Sequence, residues 1–339
     1  MASGGFEGKL KSTADLIRKS HKIIIACHAN PDGDAIGSML GLGLGLIKMG
    51  KSITMLCQDR IPRRYAELPL VSRIHRQHKG EADLAISIDC ASMLQLSKLE
   101  RAFAMSQRIV EIDHHTYRTR FGDVQLINRS ACSVGEIIFE LLKELKIPLD
   151  KTIAECLLTS MLVETSSFSR QDVKRVTFDI CAQIMDTGVN FRKVSECYYL
   201  RKRLASMHLS GLCLVRTKMR ANNQLAWSII YKKDFERFKG KQEDIDPVPD
   251  DMMMIEDVKI VLLFREIEGN MLRVSLRSRH GIDIGYLASI YGGGGHHDVA
   301  GCRIHNNKRT IEKFINQACS LIYQKTHSRG GLNFQRQGI

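Results

Sequence analysis

Seven residues with metal-binding chemistry arrive in three short stretches of this chain. His28, Asp32 and Asp34 lie in IIIACHANPDGD, Asp89 in LAISIDC, and Asp113, His114 and His115 in IVEIDHH. Each group sits in or just after an apolar run. Three hydrophobic strands ending in histidines or carboxylates read as one sheet that delivers ligands to one edge. In open α/β sheets, sites form in the crevice outside the carboxyl ends of the strands. Imidazole mixed with hard oxygen donors suits manganese, iron or zinc better than the all-oxygen sites of magnesium or calcium.

The three stretches differ in specificity. In HANPDGD, Pro31 and Gly33 force a tight turn that can aim Asp32 and Asp34 back toward His28. The alternative is an Asx-rich turn in which Asp34 merely caps the following helix. Asp89 follows five mostly apolar residues, where a carboxylate is expensive to bury unless it is paired or bound to metal. Asp113-His114-His115 is the most specific of the three. Adjacent side chains at a strand end diverge, so one imidazole can bind metal while the next faces substrate, with Asp113 orienting a ring nitrogen.

The second half of the chain carries RVSLRSRHGIDIGYLASIYGGGGHHDVAG. The glycine run, which includes Gly293, Gly294 and Gly295 and leads to His296, forms a loop whose N–H groups can converge on an anion. Arg277 and Ser278, ending a strand, supply a charge-assisted phosphate donor and a hydroxyl. The competing reading is a flexible turn with Arg277 in solvent, although ordering a glycine run costs chain entropy.

These residues must be placed by elements, and the elements are legible. Residues 22–27 read as a buried strand, 35–49 as a helix stopped at Gly50, and 52–57 as the next strand. Further strands are expected near 83–88 and 108–113, with helices near 133–146, 151–162 and 172–187. This alternation predicts a parallel sheet with covering helices. GLGLGL at 41–46 lacks the P-loop spacing and falls inside a helix, so its glycines are read as close packing against the sheet. After Gly188 a basic helix or helix pair over 189–209 bridges to a second set of strands at 211–218, 225–231, 259–266 and 271–277. A charged, proline-bearing loop with at most one short helix interrupts that set, and a helix at 309–325 closes it. The expected architecture is a doubly wound parallel-sheet domain over 1–188, a helical linker over 189–209, a smaller mixed-sheet α/β domain over 210–326, and a basic tail over 327–339, with the active site in the cleft between the domains.

Composition narrows the function classes. A chain of 339 residues is long enough for two cored domains, and a net charge of +13 favours an anionic partner or else a solvated basic surface. With 6% aromatic residues and a single Trp227, a long single-strand groove built on stacking is disfavoured. The 10 cysteines include no CxxC pair, which argues for reduced thiols in a cytosol rather than a zinc ribbon. The first residues lack the apolar core of a signal peptide, and no apolar run reaches membrane-spanning length. A cytoplasmic protein without a membrane partner is expected.

Taken together, HANPDGDAIGS, ISIDCAS, IDHH, VSLRS and GGGGHHDVAG resemble the DHH phosphoesterase superfamily, in its stand-alone members with a DHH-associated C-terminal domain. The pattern is most similar to the nanoRNase/pAp-phosphatase group, and the resemblance runs from about residue 10 to 325. It implies two divalent ions, manganese first, with His28 and Asp32 on one, Asp34 and His114 on the other, and Asp89 between them. His115 would contact the scissile phosphate or protonate the leaving oxygen, while Arg277, Ser278 and the glycine loop grip the substrate. The implied substrates are short oligoribonucleotides and 3′-phosphoadenosine 5′-phosphate, and a homodimer is implied as well. Alternatives are a phosphodiesterase for cyclic di-AMP or pApA, and a nucleotide-binding protein with weakened catalysis. The chain departs from the family where DTGxF is usual: it reads Glu164-Thr165-Ser166-Ser167-Phe168, making Glu164 the sixth ligand candidate. Tyr117 stands where asparagine is common, and His297-Asp298-Val299 is also unusual before the final Ala-Gly.

Overall fold

The computed structural model describes residues 5–330 apart from 117, 171, 201 and 296. His296, Tyr117 and positions 331–339 of the expected tail lie outside the described residues. The chain divides into two compact units, 1–201 and 202–339. That division falls within the segment expected to be a linker.

The first unit opens with α1 (Phe6–Lys19), β1 (Lys22–Cys27), α2 (Gly33–Lys48), β2 (Ser52–Leu56) and β3 (Ile74–His75). It continues through β4 (Leu84–Ile88), α3 (Glu100–Ala104), β5 (Ile109–Asp113) and β6 (Val124–Ile127). The helices α4 (Val134–Glu144), α5 (Lys151–Glu164), α6 (Arg175–Met185) and α7 (Phe191–Ser195) complete it. The six strands form one sheet in the order β3-β2-β1-β4-β5-β6, with every pair parallel. Strand order reverses between β1 and β4, so the crevice of this doubly wound sheet opens there.

Alternation along β1 shows why the sheet is covered on both faces. Ile23 and Ile25 join a core with α1, α2, α4 and α5, while Ile24 and Ala26 join Leu96, Leu99 and Phe103 on the opposite side. A strand buried on both faces reads as a continuous apolar run, as KIIIAC does. The glycines of α2 have the packing role expected of them, but toward helices as well as the sheet. A Cβ on Gly37 would stand 2.5 Å from the Cys156 carbonyl oxygen of α5, and one on Gly43 would stand 2.6 Å from Met55 of β2.

The second unit comprises α8 (Leu204–Val215), β7 (Lys218–Arg220), β8 (Leu225–Ile230), α9 (Lys232–Phe238), α10 (Val248–Met252) and β9 (Ile260–Ile267). It closes with β10 (Met271–Ser278), α11 (Ile284–Ile290), β11 (Gly294–Gly295), β12 (Val299–His305) and α12 (Lys308–Gly330). Its mixed sheet runs β11-β12-β10-β9-β8-β7, antiparallel except for the β8–β9 pair. Leu225, Leu262, Phe264 and Val274 face α11 and α12, while Ala226, Val261 and Leu263 face α8 and α10.

The expected strand at 211–218 is a correction. Those residues belong mostly to α8, whose buried positions 205, 206, 209, 210 and 213 follow the helical period. The run SGLCLV is short and apolar, which periodicity alone does not resolve. Strands β6 and β12 and helix α1 were also unforeseen, and the interrupting loop holds two short helices instead of one. Among the described residues, no helix is long and apolar enough to cross a membrane.

Candidate metal centre

His28 leaves the end of β1, Asp89 the end of β4, and Asp113-His114-His115 the end of β5. These neighbouring strands flank the switch point, so three stretches far apart in sequence meet at one edge. Asp89 lies at the centre. Its Oδ2 stands 3.5 Å from His28 Nε2, and its Oδ1 stands 3.8 Å from His114 Nε2 and 3.5 Å from His115 Nδ1. Its backbone is left-handed, at φ 57°, and its N–H donates to the Ile112 carbonyl at 3.0 Å. Among the described residues, the buried Oδ1 accepts no hydrogen bond.

Two three-donor sets therefore share Asp89: His28 and Asp32 on one side, His114 and His115 on the other. The Nδ1 of His28 is 2.8 Å from the Ala29 carbonyl and that of His114 is 3.1 Å from the Ala131 carbonyl. A ring nitrogen tied to a backbone carbonyl turns the other nitrogen outward as a donor, which is how metal-binding histidines are usually oriented. Together with the unpaired Asp89 Oδ1, this arrangement fits a divalent cation. His115 Nδ1 lies 2.7 Å from Asp113 Oδ1, the partner expected to orient it, and 3.5 Å from the same Asp89 oxygen that His114 Nε2 approaches. The two rings are 5.1 Å apart, nearly edge to face.

The turn HANPDGD assigns its two carboxylates differently from the simple capping alternative. Asp32, not Asp34, caps α2, accepting from the Ala35 N–H at 3.0 Å, and its Oδ1 lies 3.9 Å from His28 Nε2. Asp34 is fully buried. Its Oδ1 accepts from Ser160 Oγ at 2.6 Å and Ser38 Oγ at 3.1 Å, and its Oδ2 from the Val134 N–H at 2.9 Å. Oδ2 also lies 3.7 Å from His114 Nε2. Ser38, the last residue of HANPDGDAIGS, is thus a partner of Asp34, as are Ser160 and the first amide of α4, which no sequence motif marked.

Charge explains the electrostatics. Burial pushes the Asp34 carboxyl up to about 7, assisted by the Asp89 charge and opposed by His114. Withdrawal from water and the Asp89 charge likewise raise Asp32. For Asp89 burial acts upward, but the His28 hydrogen bond and the charges of His28, His114 and His115 outweigh it and bring it to about 2. Burial lowers the imidazoles, yet Asp89 and Asp32 carry His28 to about 10, and Asp34 and Asp89 carry His114 to about 9. The crevice recruits positive charge.

Glu164, the last residue of α5, sits beside this cluster: burial and the charges of Asp34, Asp32 and Asp89 raise it well above the ordinary carboxyl value. Its Oε1 is held by Arg170 Nη1 at 2.5 Å. It joins neither three-donor set among the described residues. The chain then makes a left-handed turn over Ser166, Ser167 and Phe168, at φ 48°, 58° and 63°. Ser166 occupies the place of the usual motif glycine.

In the second unit, Arg277 and Ser278 end β10 beside the start of β12, where Arg277 pairs with Val299 and the Ser278 N–H donates to the Asp298 carbonyl at 2.9 Å. Arg277 Nε is held by Asp250 Oδ1 at 2.7 Å, and Ser278 Oγ donates to the Ile282 carbonyl at 2.6 Å. Gly294 and Gly295 form a two-residue edge strand against Gly301 and Ala300 of β12. A Cβ on Gly293 would lie 2.2 Å from the Gly301 carbonyl, and one on Gly295 2.4 Å from that of Val299, whereas Gly294 has open space.

A model of the DHH family, N-terminal domain, matches residues 22–161, and a DHHA1 domain model matches 223–324. A bifunctional oligoribonuclease and PAP phosphatase from Thermus thermophilus is 24% identical over 301 residues, covering 87% of this chain and 88% of that one. A cyclic-di-AMP phosphodiesterase from Geobacillus thermodenitrificans is 23% identical over 301 residues, covering 83% of this chain and 44% of its own. In structure, an exopolyphosphatase-related protein from Bacteroides fragilis matches with a TM-score of 0.87 at 22% identity, over 94% of this chain and 98% of that one, which shows the fold. The two family models together cover more than half of the chain, and they match the units that carry the histidine–carboxylate cluster and the glycine-rich edge. The chain belongs to the DHH family, in the form where a DHHA1 domain follows the DHH domain.

Proposed function

We propose that this chain is a phosphoric ester hydrolase that acts on short oligoribonucleotides and on 3′-phosphoadenosine 5′-phosphate, using two divalent ions, manganese first. The supporting observation is Asp89: one buried carboxylate presents Oδ2 to His28 and an unpaired Oδ1 to His114 and His115. In this reading His28, Asp32 and Asp89 hold one ion, and Asp89, Asp34 and His114 hold the other, with Glu164 adding negative charge nearby. Ions bound there would supply an acidified water at neutral pH and charge neutralisation on the phosphoryl oxygens.

The chain's own groups do the rest. Asp113 accepts from His115 Nδ1 at 2.7 Å, so the ring nitrogen not committed to Asp113 is the one that meets the phosphate or the leaving oxygen. Arg277, Ser278 and the edge at Gly293, Gly294 and Gly295 bind the substrate, with the Arg277 guanidinium shared between a phosphate and Asp250. His296 has the same role in this reading.

The cyclic-di-AMP phosphodiesterase among the relatives favours a second reading, cleavage of cyclic di-AMP or pApA. Purified protein with manganese, given pAp, pApA, cyclic di-AMP and an RNA trimer in parallel, separates them. Turnover of pAp and the trimer is expected; turnover of the cyclic dinucleotide alone would overturn the first reading. Tight nucleotide binding with one ion or none, and no turnover, would leave a binding protein.

A further inference from the structure

Strand β5 reads IVEID, and its third residue is an anomaly. Glu111 is completely buried, in a strand whose neighbours Val110 and Ile112 are apolar. Its Oε1 accepts from the N–H groups of Phe121 at 3.0 Å and Gly122 at 2.5 Å, and its Oε2 is bonded to Arg118 Nη2. The Arg118 side chain is 6% exposed, and its Nε donates to Asp113 Oδ2 at 3.3 Å. Glu111 and Asp113, two residues apart on one strand, share a face, so one guanidinium spans both carboxylates. Asp113 Oδ1, on the other side of the same carboxylate, accepts from the His114 N–H at 2.8 Å and from His115 Nδ1 at 2.7 Å. A Cβ on Gly122 would approach Glu111 Cγ to 2.9 Å, so glycine lets the loop close over the glutamate.

Burying an ion pair costs several kcal/mol per charge, and replacing one by apolar residues is often neutral or stabilising. Stability is therefore a weak reason for this pair. We propose that Glu111 and Arg118 are positioning residues: anchored by loop amides, they fix the plane of the Asp113 carboxylate, which holds the His115 ring with its Nδ1–H toward Asp113. The inference rests on the proposed hydrolase for its kinetic consequence, but its structural consequence is independent of activity.

The test uses the full chain, with Glu111→Met/Arg118→Met as an apolar replacement and Arg118→Lys as a variant that keeps the charge but loses the fork. Nitrogen-15 NMR of the imidazoles, with His115 assigned by its loss in His115→Gln, reads the tautomer directly. Wild type is expected to show the Nδ1–H form at His115, and both variants a mixture of tautomers with the melting temperature of the double variant retained. With an RNA dimer as substrate, kcat is expected to fall about 10–100-fold, the range for losing an outer-shell partner, while KM stays within roughly twofold. An unchanged His115 tautomer in both variants, or a folded double variant with wild-type kcat, would overturn the proposal. If wild type hydrolyses nothing, the hydrolase reading fails while the NMR arm still decides the positioning role.

Discussion

Asp89 combines three properties in one residue: a left-handed backbone, near-complete burial, and an oxygen without a hydrogen-bond donor among the described residues. Asparagine tolerates that backbone at least as well as aspartate does, so Asp89→Asn removes the charge with little change in shape. The variant is expected to keep its fold and to lose more than the roughly 10–100-fold in manganese-dependent rate typical of an outer-shell change. Titration calorimetry with manganese should show fewer bound ions; a full complement of ions at wild-type affinity would remove Asp89 from its proposed shared place. Glu164→Ala should cost less, because Arg170 holds that carboxylate and its influence on the cluster is through charge. The metal-binding residue types were legible in HANPDGD, IDC and IDHH because histidine and aspartate at strand ends have few structural reasons to be there. Ser160 and Arg118 were not legible, since a serine in a helix or an arginine in a loop carries no mark of its partner.

At the scale of elements, the cluster depends on the contact between α2 and α5. Asp34 of α2 and Ser160 of α5 meet at 2.6 Å, an approach allowed by glycines on the α2 face. A Cβ on Gly37 would stand 2.5 Å from the Cys156 carbonyl and 2.8 Å from the Ser160 nitrogen, both backbone atoms that cannot rotate aside. Gly37→Ala is expected to destabilise the first unit by about 1–3 kcal/mol, the usual cost of overpacking. It should also weaken ion binding, because separating the helices withdraws Ser160 from Asp34. Denaturant titration reads the first effect and calorimetry with manganese the second; a variant as stable as wild type would mean that the helices yield freely. The strands β1, β4 and β5 were legible as apolar runs, and GLGLGL as a packing device. Helix α8 was mistaken for a strand because six consecutive mostly apolar residues satisfy either period.

At the scale of the molecule, the proposed ligands all belong to the first unit, and each unit has cores of its own. A ligand that binds only the native state stabilises it in proportion to its occupancy, by about 2.7 kcal/mol at 100 times Kd. Manganese should therefore slow amide hydrogen exchange in peptides spanning β4 and β5 relative to chelated protein, and leave those spanning β9 and β10 unchanged. Equal protection in both units, or in neither, would contradict the assignment of the ions to the first unit alone. The net charge of +13 agrees with an anionic substrate but does not identify one.

By itself the sequence determined that histidines and carboxylates stand at the ends of apolar strands, and the alternation that builds a parallel sheet. Those features follow from local physics: strands bury apolar runs, and polar residues at their ends must find partners. Only the tertiary structure decided which atoms meet. The strand order brought β1 and β4 side by side so that Asp89 could face His28 and His114 with different oxygens, and it gave the capping role to Asp32 while burying Asp34 against α4 and α5. It also joined Glu111 and Arg118 to Asp113. Such pairings depend on chain segments up to 126 residues apart packing at close distance, and no local pattern of residues encodes them.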